Sequence, residues 1–137
     1  MPASLDHTIV QSRDRFAAAR FLTELMGAPE PEPFGPFASV PLENGVTLDY
    51  LDSASARIVS QHLAFLVPDD EFDEILARVE ERELPYWADP HHELPQQINH
   101  HHRGRGFYLD DPDGHSVEFL THTYVKASGE ALETTGK

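Results

Sequence analysis

The spacing of apolar residues along the chain switches between strand-like and helix-like, and the switch happens twice. Residues 5–11 (LDHTIVQ) read as a short strand that is β-branched toward its end, with His7 near its centre. From Ser12 the period changes: Ala18, Phe21, Leu22 and Leu25 fall at helical spacing, Ser12 or Asp14 can cap the start, and Gly27 stops it. Residues 28–36 (APEPEPFGP) hold four of the eleven prolines and predict an extended connection or an edge strand. FASVPLENGVTLDYLD then reads as two strands joined by a turn at Glu43-Asn44-Gly45.

The order then recurs. QHLAFLV (61–67) is a strand with His62 near its start, and Pro68-Asp69-Asp70 ends it and caps a helix. In that helix Phe72, Ile75, Leu76 and Val79 stand at i, i+3, i+4 and i+7. The pattern gives out near Glu83-Leu84-Pro85, PYWAD reads as a short edge-type strand, and a polar loop (PHHELPQQINHHHRG) follows. RGFYLDDPDGHSVEFLTH, from Arg105 to His122, has two apolar runs around an Asp-Pro-Asp-Gly turn and predicts a hairpin. The expected architecture is α+β: two repeated modules of strand, helix and further strands, each of roughly 55–60 residues. One domain spans 1–125, with module one at about 4–55 and module two at about 60–124. Residues 126–137 have little to bury and are expected to form a flexible tail.

Alternation along strands sorts the side chains by face. Leu63, Phe65 and Val67 suit a helix-packed face, which turns His62, Ala64 and Leu66 the other way. Val117 and Phe119 likewise leave Ser116, Glu118 and Leu120 opposite. In the first strand Thr8 and Val10 share one face, and Leu5, His7 and Ile9 the other, although both faces are partly apolar. Three strands can therefore each direct one metal-competent side chain to a shared face: His7, His62 and Glu118. Two imidazoles and a carboxylate suit a borderline divalent metal and leave open positions for substrate. The same residues also fit solvent-facing positions on amphipathic strands, and spacing alone leaves both readings open.

Composition narrows the field. With 137 residues, 39% apolar and 25% charged, the chain suits one soluble globular domain. The absence of cysteine excludes disulfides and thiolate metal sites. No apolar run approaches the ~20 residues of a membrane span and no signal-peptide pattern opens the chain, so the cytoplasm is the expected compartment and no membrane partner is expected. A net charge of −14 argues against nucleic acid as a partner. Histidine is concentrated, with five of nine between His91 and His102. A polar loop that merely happens to be rich in histidine would account for these as well.

Taken together, LDHTIV followed by a helix, QHLAFLV followed by a helix, and GFYLDDPDGHSVEFL resemble the vicinal oxygen chelate superfamily: glyoxalases, extradiol dioxygenases and bleomycin-resistance-type proteins. The most specific part is Tyr108, Asp111-Pro112, Gly114 and Glu118 at their spacing, and the likeness covers about residues 4–124. It implies paired βαβββ modules forming a cupped mixed sheet around a metal held by His7, His62 and Glu118. It also implies a small-molecule substrate with vicinal oxygens and a homodimer. Asn99, His101 and Tyr108 resemble the extradiol signature, with His100 fitting almost as well. In those enzymes the histidine is an acid/base or oxyanion-stabilising group and the tyrosine hydrogen-bonds the bound catecholate. This implies Fe(II), with Zn, Ni, Co or Mn as other candidates. Against it, VTLDYLD lacks the further histidine that dioxygenases carry there. Asp49 stands instead near the place of the fourth ligand of glyoxalase I, which would suit lyase or isomerase chemistry. A metal-free antibiotic-binding protein is the remaining alternative. Phe37, Tyr50, Tyr86 and Trp87 are expected to line the cup.

Overall fold

The computed structural model describes residues 2–124, so the expected tail lies outside the described residues. It resolves into two compact units. The first runs to Gln61 and includes Asp111–Gly114, and the second comprises His62–Asp110 and continues from His115.

In the first unit, β1 (His7–Ser12), α1 (Arg15–Met26), β2 (Glu32–Phe34), β3 (Phe37–Pro41) and β4 (Thr47–Asp52) follow in order. The sheet order is β1-β4-β3-β2, with β1 parallel to β4 and the other pairs antiparallel. α1 begins where the Asp14 carboxylate accepts the Ala17 amide at 3.1 Å, satisfying one of the donors that a helix start leaves open. It ends at Gly27, whose φ of 67° a side chain would resist. Ser12 is not the cap; it closes β1, buried, and its hydroxyl donates to the Leu51 carbonyl. Ala18, Ala19, Leu22 and Leu25 bury the inner stripe of α1 with Val10, Ala38, Val40, Leu48 and Tyr50 of the strands. The Asp111–Gly114 turn belongs to this unit: the Arg13 amide and guanidinium donate to Asp113, and Ser60 donates to the Gly114 carbonyl. Gly114 takes φ 85°, as the sharp turn after Asp-Pro-Asp requires.

The second unit contains β5 (His62–Leu66), α2 (Asp69–Glu81), β6 (Gly106–Asp110) and β7 (Ser116–Leu120). Its sheet order is β5-β7-β6, with β5 parallel and β6 antiparallel to β7. α2 docks through Phe72, Ile75 and Val79, all fully buried, each contributing about 1.5–3 kcal/mol by leaving water. Phe72 and Tyr86 meet Phe107 edge-on at 5.4 and 5.5 Å, and Phe107 and Phe65 pack against Phe119.

Two expectations need correction here. Neither Asp69 nor Asp70 caps α2: Pro68 occupies the cap position, Asp69 accepts from the Arg105 guanidinium, and Asp70 accepts the adjacent Glu71 amide. The first-turn acids Asp69, Asp70 and Glu71 still stand well against the helix dipole. PYWAD is not a strand: only Trp87 pairs in ladder fashion, with Tyr108 on one side and Pro95 on the other. Trp87 exchanges amide and carbonyl bonds with Tyr108, while the Tyr86 and Ala88 amides turn to the Gln96 side chain and Leu94 carbonyl of the following loop. Among the described residues no helix is long and apolar enough to cross a membrane.

Two measurements test this account. Asp14→Ala should lower stability by about 1 kcal/mol in urea unfolding with an unchanged denaturant slope; unchanged stability would deny the cap. Burial, then the hydrogen bond to Glu80, pushes the Tyr86 phenol up from 10.0 to about 12. The folded chain therefore keeps a proton that the unfolded chain releases. Stability should be whole below pH 10 and fall as pH rises toward 12, less steeply in Tyr86→Phe. Identical alkaline slopes for the two proteins would contradict this.

Candidate metal and substrate site

Register decides what the second sheet presents. His62 pairs with Ser116, Ala64 with Glu118, and Glu118 with Tyr108. Alternation buries Phe65 on the α2 side and leaves His62, Ala64 and Leu66 on the open face, Leu66 with 60% of its surface exposed. The sequence-based face assignment therefore holds for this strand. Across that face His62 Nε2 lies 3.0 Å from Glu118 Oε1, and His62 Nδ1 lies 3.2 Å from the Ser116 hydroxyl. Tyr108 donates its phenolic hydrogen to Glu118, and its ring stands 6.0 Å from that of His62. Burial first, and the neighbouring carboxylate second, hold the Tyr108 phenol well above its ordinary range, so it remains a hydrogen-bond donor.

Glu118 is only 3% exposed. A carboxylate so buried is costly unless it is hydrogen-bonded, and His62 and Tyr108 both bond it. Glu118, an acid in an otherwise apolar strand, is thus the centre of a bonded cluster. The donors also suit a metal. Two ligands at about 2.1 Å from one ion and at right angles stand about 3.0 Å apart, and an imidazole beside a carboxylate is a set that borderline divalent ions accept.

Beside this cluster a small, narrow recess is lined by His101, Tyr108, Glu118, Leu120, His122 and Tyr124, among others. His101 opens a short 3₁₀ turn, and its amide is held by the Asn99 side chain at 3.3 Å. His100 is exposed and does not line the recess. Arg105 lines it too, fixed by Asp69 and Asp73 with its guanidinium 4.5 Å above the Phe72 ring.

His7 and Asp49 belong to the first unit and line a broad groove, open to solvent, on the sheet face away from α1. His7 is half-exposed, with Nδ1 2.7 Å from Asp6. That hydrogen bond, helped by the charges of Asp6 and Asp49, raises the His7 pKa. Asp49 is buried and accepts a 2.5 Å hydrogen bond from Ser39. Among the described residues, no three His, Cys, Asp or Glu side chains gather closely enough to hold a metal ion.

The expected cup residues divide. Phe37 lines the groove of the first unit. Tyr50 does not: it neighbours Asp49 in the strand, so it must take the opposite face, where it is buried. Tyr86 is core, packed on Phe107. Trp87 stacks on His92 at 3.6 Å, and His92 reaches within 3.5 Å of Asp110. The loop around them is built on the Asp89 carboxylate, which accepts the amides of His91, Glu93 and Leu94. The histidines of this loop therefore have separate roles, and only His101 and His102 reach the recess. Ser116, His122 and the fully buried His115 were not singled out from sequence. Parity placed Ser116 on the face of Glu118, but its partner becomes visible only once β5 is known to pair with β7.

Residues 4–119 match the Glyoxalase/Bleomycin resistance protein/Dioxygenase superfamily. No curated protein matches the chain. Among solved structures, Oxidase ChaP-H1 has a TM-score of 0.88 and 50% identity, over 90% of this chain and 99% of its own. Oxidase ChaP-H2 has a TM-score of 0.87 and 50% identity, over 90% of this chain and 97% of its own. A lactoylglutathione lyase from Agrobacterium tumefaciens shares the fold at a TM-score of 0.62 and 20% identity, over 88% of this chain and 94% of that one. With nearly its whole length matched, this chain belongs to the glyoxalase, bleomycin resistance protein and dioxygenase superfamily.

Proposed function

We propose that the chain is a metal-dependent enzyme acting on a small substrate with vicinal oxygens, with extradiol-type oxygenation as its reaction. The observation that carries this is the buried Glu118 bonded to both His62 and Tyr108 on the open face of the second sheet. His62 and Glu118 would hold the ion; the superfamily resemblance also implies His7 as a donor and Asp49 as a candidate fourth. When bound, a divalent ion supplies Lewis acidity to adjacent substrate oxygens and, as Fe(II), electrons for dioxygen chemistry. Tyr108, kept protonated, would turn its one phenolic hydrogen from Glu118 to a substrate oxygen once an ion satisfies that carboxylate, and so help to fix the substrate's orientation. His101, at the rim of the recess, moves a proton to or from the substrate, as an imidazole can near neutral pH. His100, exposed and outside the recess, is the weaker candidate.

The similarity to two oxidases at 50% identity supports the oxygen-using reading over glyoxalase-like isomerisation. Wild-type protein that takes up no metal would favour the metal-free antibiotic-binding alternative. The superfamily resemblance leads us to expect a homodimer.

Metal analysis of untagged protein tests the site. His7→Ala, His62→Ala and Glu118→Ala should each lower metal content to background, and unchanged content in these variants would remove the enzyme reading. Reaction chemistry is tested by anaerobic Fe(II) loading followed by catechol and air, with a yellow ring-fission product expected. His101→Ala should slow that turnover by ~10²-fold or more. A colourless mixture at full iron occupancy would favour the lyase or isomerase reading, and an unimpaired His101→Ala would remove the proton-transfer role.

A further inference from the structure

Ser116 is tied to the cluster by hydrogen bonding rather than by ligand chemistry. It pairs with His62 across the parallel β5–β7 ladder and shares its face with Glu118 two residues later. Its hydroxyl stands 3.2 Å from His62 Nδ1, while the other ring nitrogen faces Glu118 at 3.0 Å. The two nitrogens of a neutral imidazole play opposite parts, one donating and one accepting. A carboxylate accepts, so the nitrogen facing Glu118 must carry the hydrogen. Nδ1 is then an acceptor and needs a donor, which the Ser116 hydroxyl supplies.

Binding of a metal reverses the demand. Nε2 must offer its lone pair, the hydrogen moves to Nδ1, and Nδ1 now needs an acceptor. For the neutral ring the proton count is unchanged: solvent takes the hydrogen from Nε2 and returns one to Nδ1. A hydroxyl can donate and accept. Alanine can do neither, and a carboxylate could serve only the metal-bound state.

We propose that Ser116 is a positioning residue that holds His62 in both tautomers, donating to Nδ1 while Nε2–H is bonded to Glu118 and accepting from Nδ1–H when Nε2 binds a divalent ion. This rests on the reading of His62 and Glu118 as metal ligands. Its consequence is that the ring need not rotate as metal enters, because the same neighbour anchors it before and after.

Zinc(II) titration against a chromophoric chelator, with ¹⁵N NMR of the His62 ring, tests it on the full chain. Ser116→Ala should bind zinc ~10–100-fold more weakly, and Ser116→Thr, which keeps the hydroxyl, should restore most of the affinity. The wild-type ring should carry its proton on Nε2 without zinc and on Nδ1 with it. Wild-type affinity in Ser116→Ala, or equal weakness in a folded Ser116→Thr, would overturn the role of the hydroxyl. If His62→Ala and Glu118→Ala also bind zinc like the wild type, the metal reading itself fails and takes this inference with it. If those two lose zinc while Ser116→Ala does not, the Ser116 inference fails alone.

Discussion

The contact between His62 and Glu118 depends on a single register. β5 and β7 run parallel, with His62 level with Ser116 and Ala64 level with Glu118. A slip of one residue would turn Glu118 into the aromatic core and bring Val117 or Phe119 to the open face. That core resists such a slip: Phe65, Phe107 and Phe119 interlock beneath α2, and each loses its partners if β7 moves. The packing of one face thus fixes the chemistry of the other.

Glu118 also shows how the cost of burying a charge is met. It has little access to water, so its carboxylate depends on β5 and β6, through His62 and Tyr108. Tyr108 has a second tie, because its backbone exchanges hydrogen bonds with Trp87. The loop that carries Trp87 is itself braced on Asp89 and returns as the turn bearing His101. Within the second unit, His62, Glu118 and the proposed proton carrier are therefore linked through β6 and its hydrogen-bonded neighbours.

Much of this was legible in the sequence because it is governed by period. The strand at 61–67, the helix with Phe72, Ile75 and Val79, and the hairpin around Asp-Pro-Asp-Gly all follow from local patterning. The faces of His62 and Glu118 follow from alternation alone. The same rule excluded Tyr50 from the face of Asp49, and placing it in the cup overlooked that exclusion. What patterning could not supply was pairing between distant strands. Ser116 acquires meaning only from β5, the role of Asp69 only from Arg105, and the bridge at Trp87 only from a loop whose bonds run to side chains. The histidines between His91 and His102 are uninformative as a count and become distinct only through the φ angles and anchors of their loop.

The central claim is that His62 and Glu118 together hold a divalent ion. Anomalous X-ray diffraction from crystals grown with Fe(II) or Zn(II) measures it directly. The account predicts an anomalous peak about 2.0–2.2 Å from both His62 Nε2 and a Glu118 oxygen. A peak confined to the histidines of the 91–102 loop, or none in crystals with full access to the metal, would contradict it.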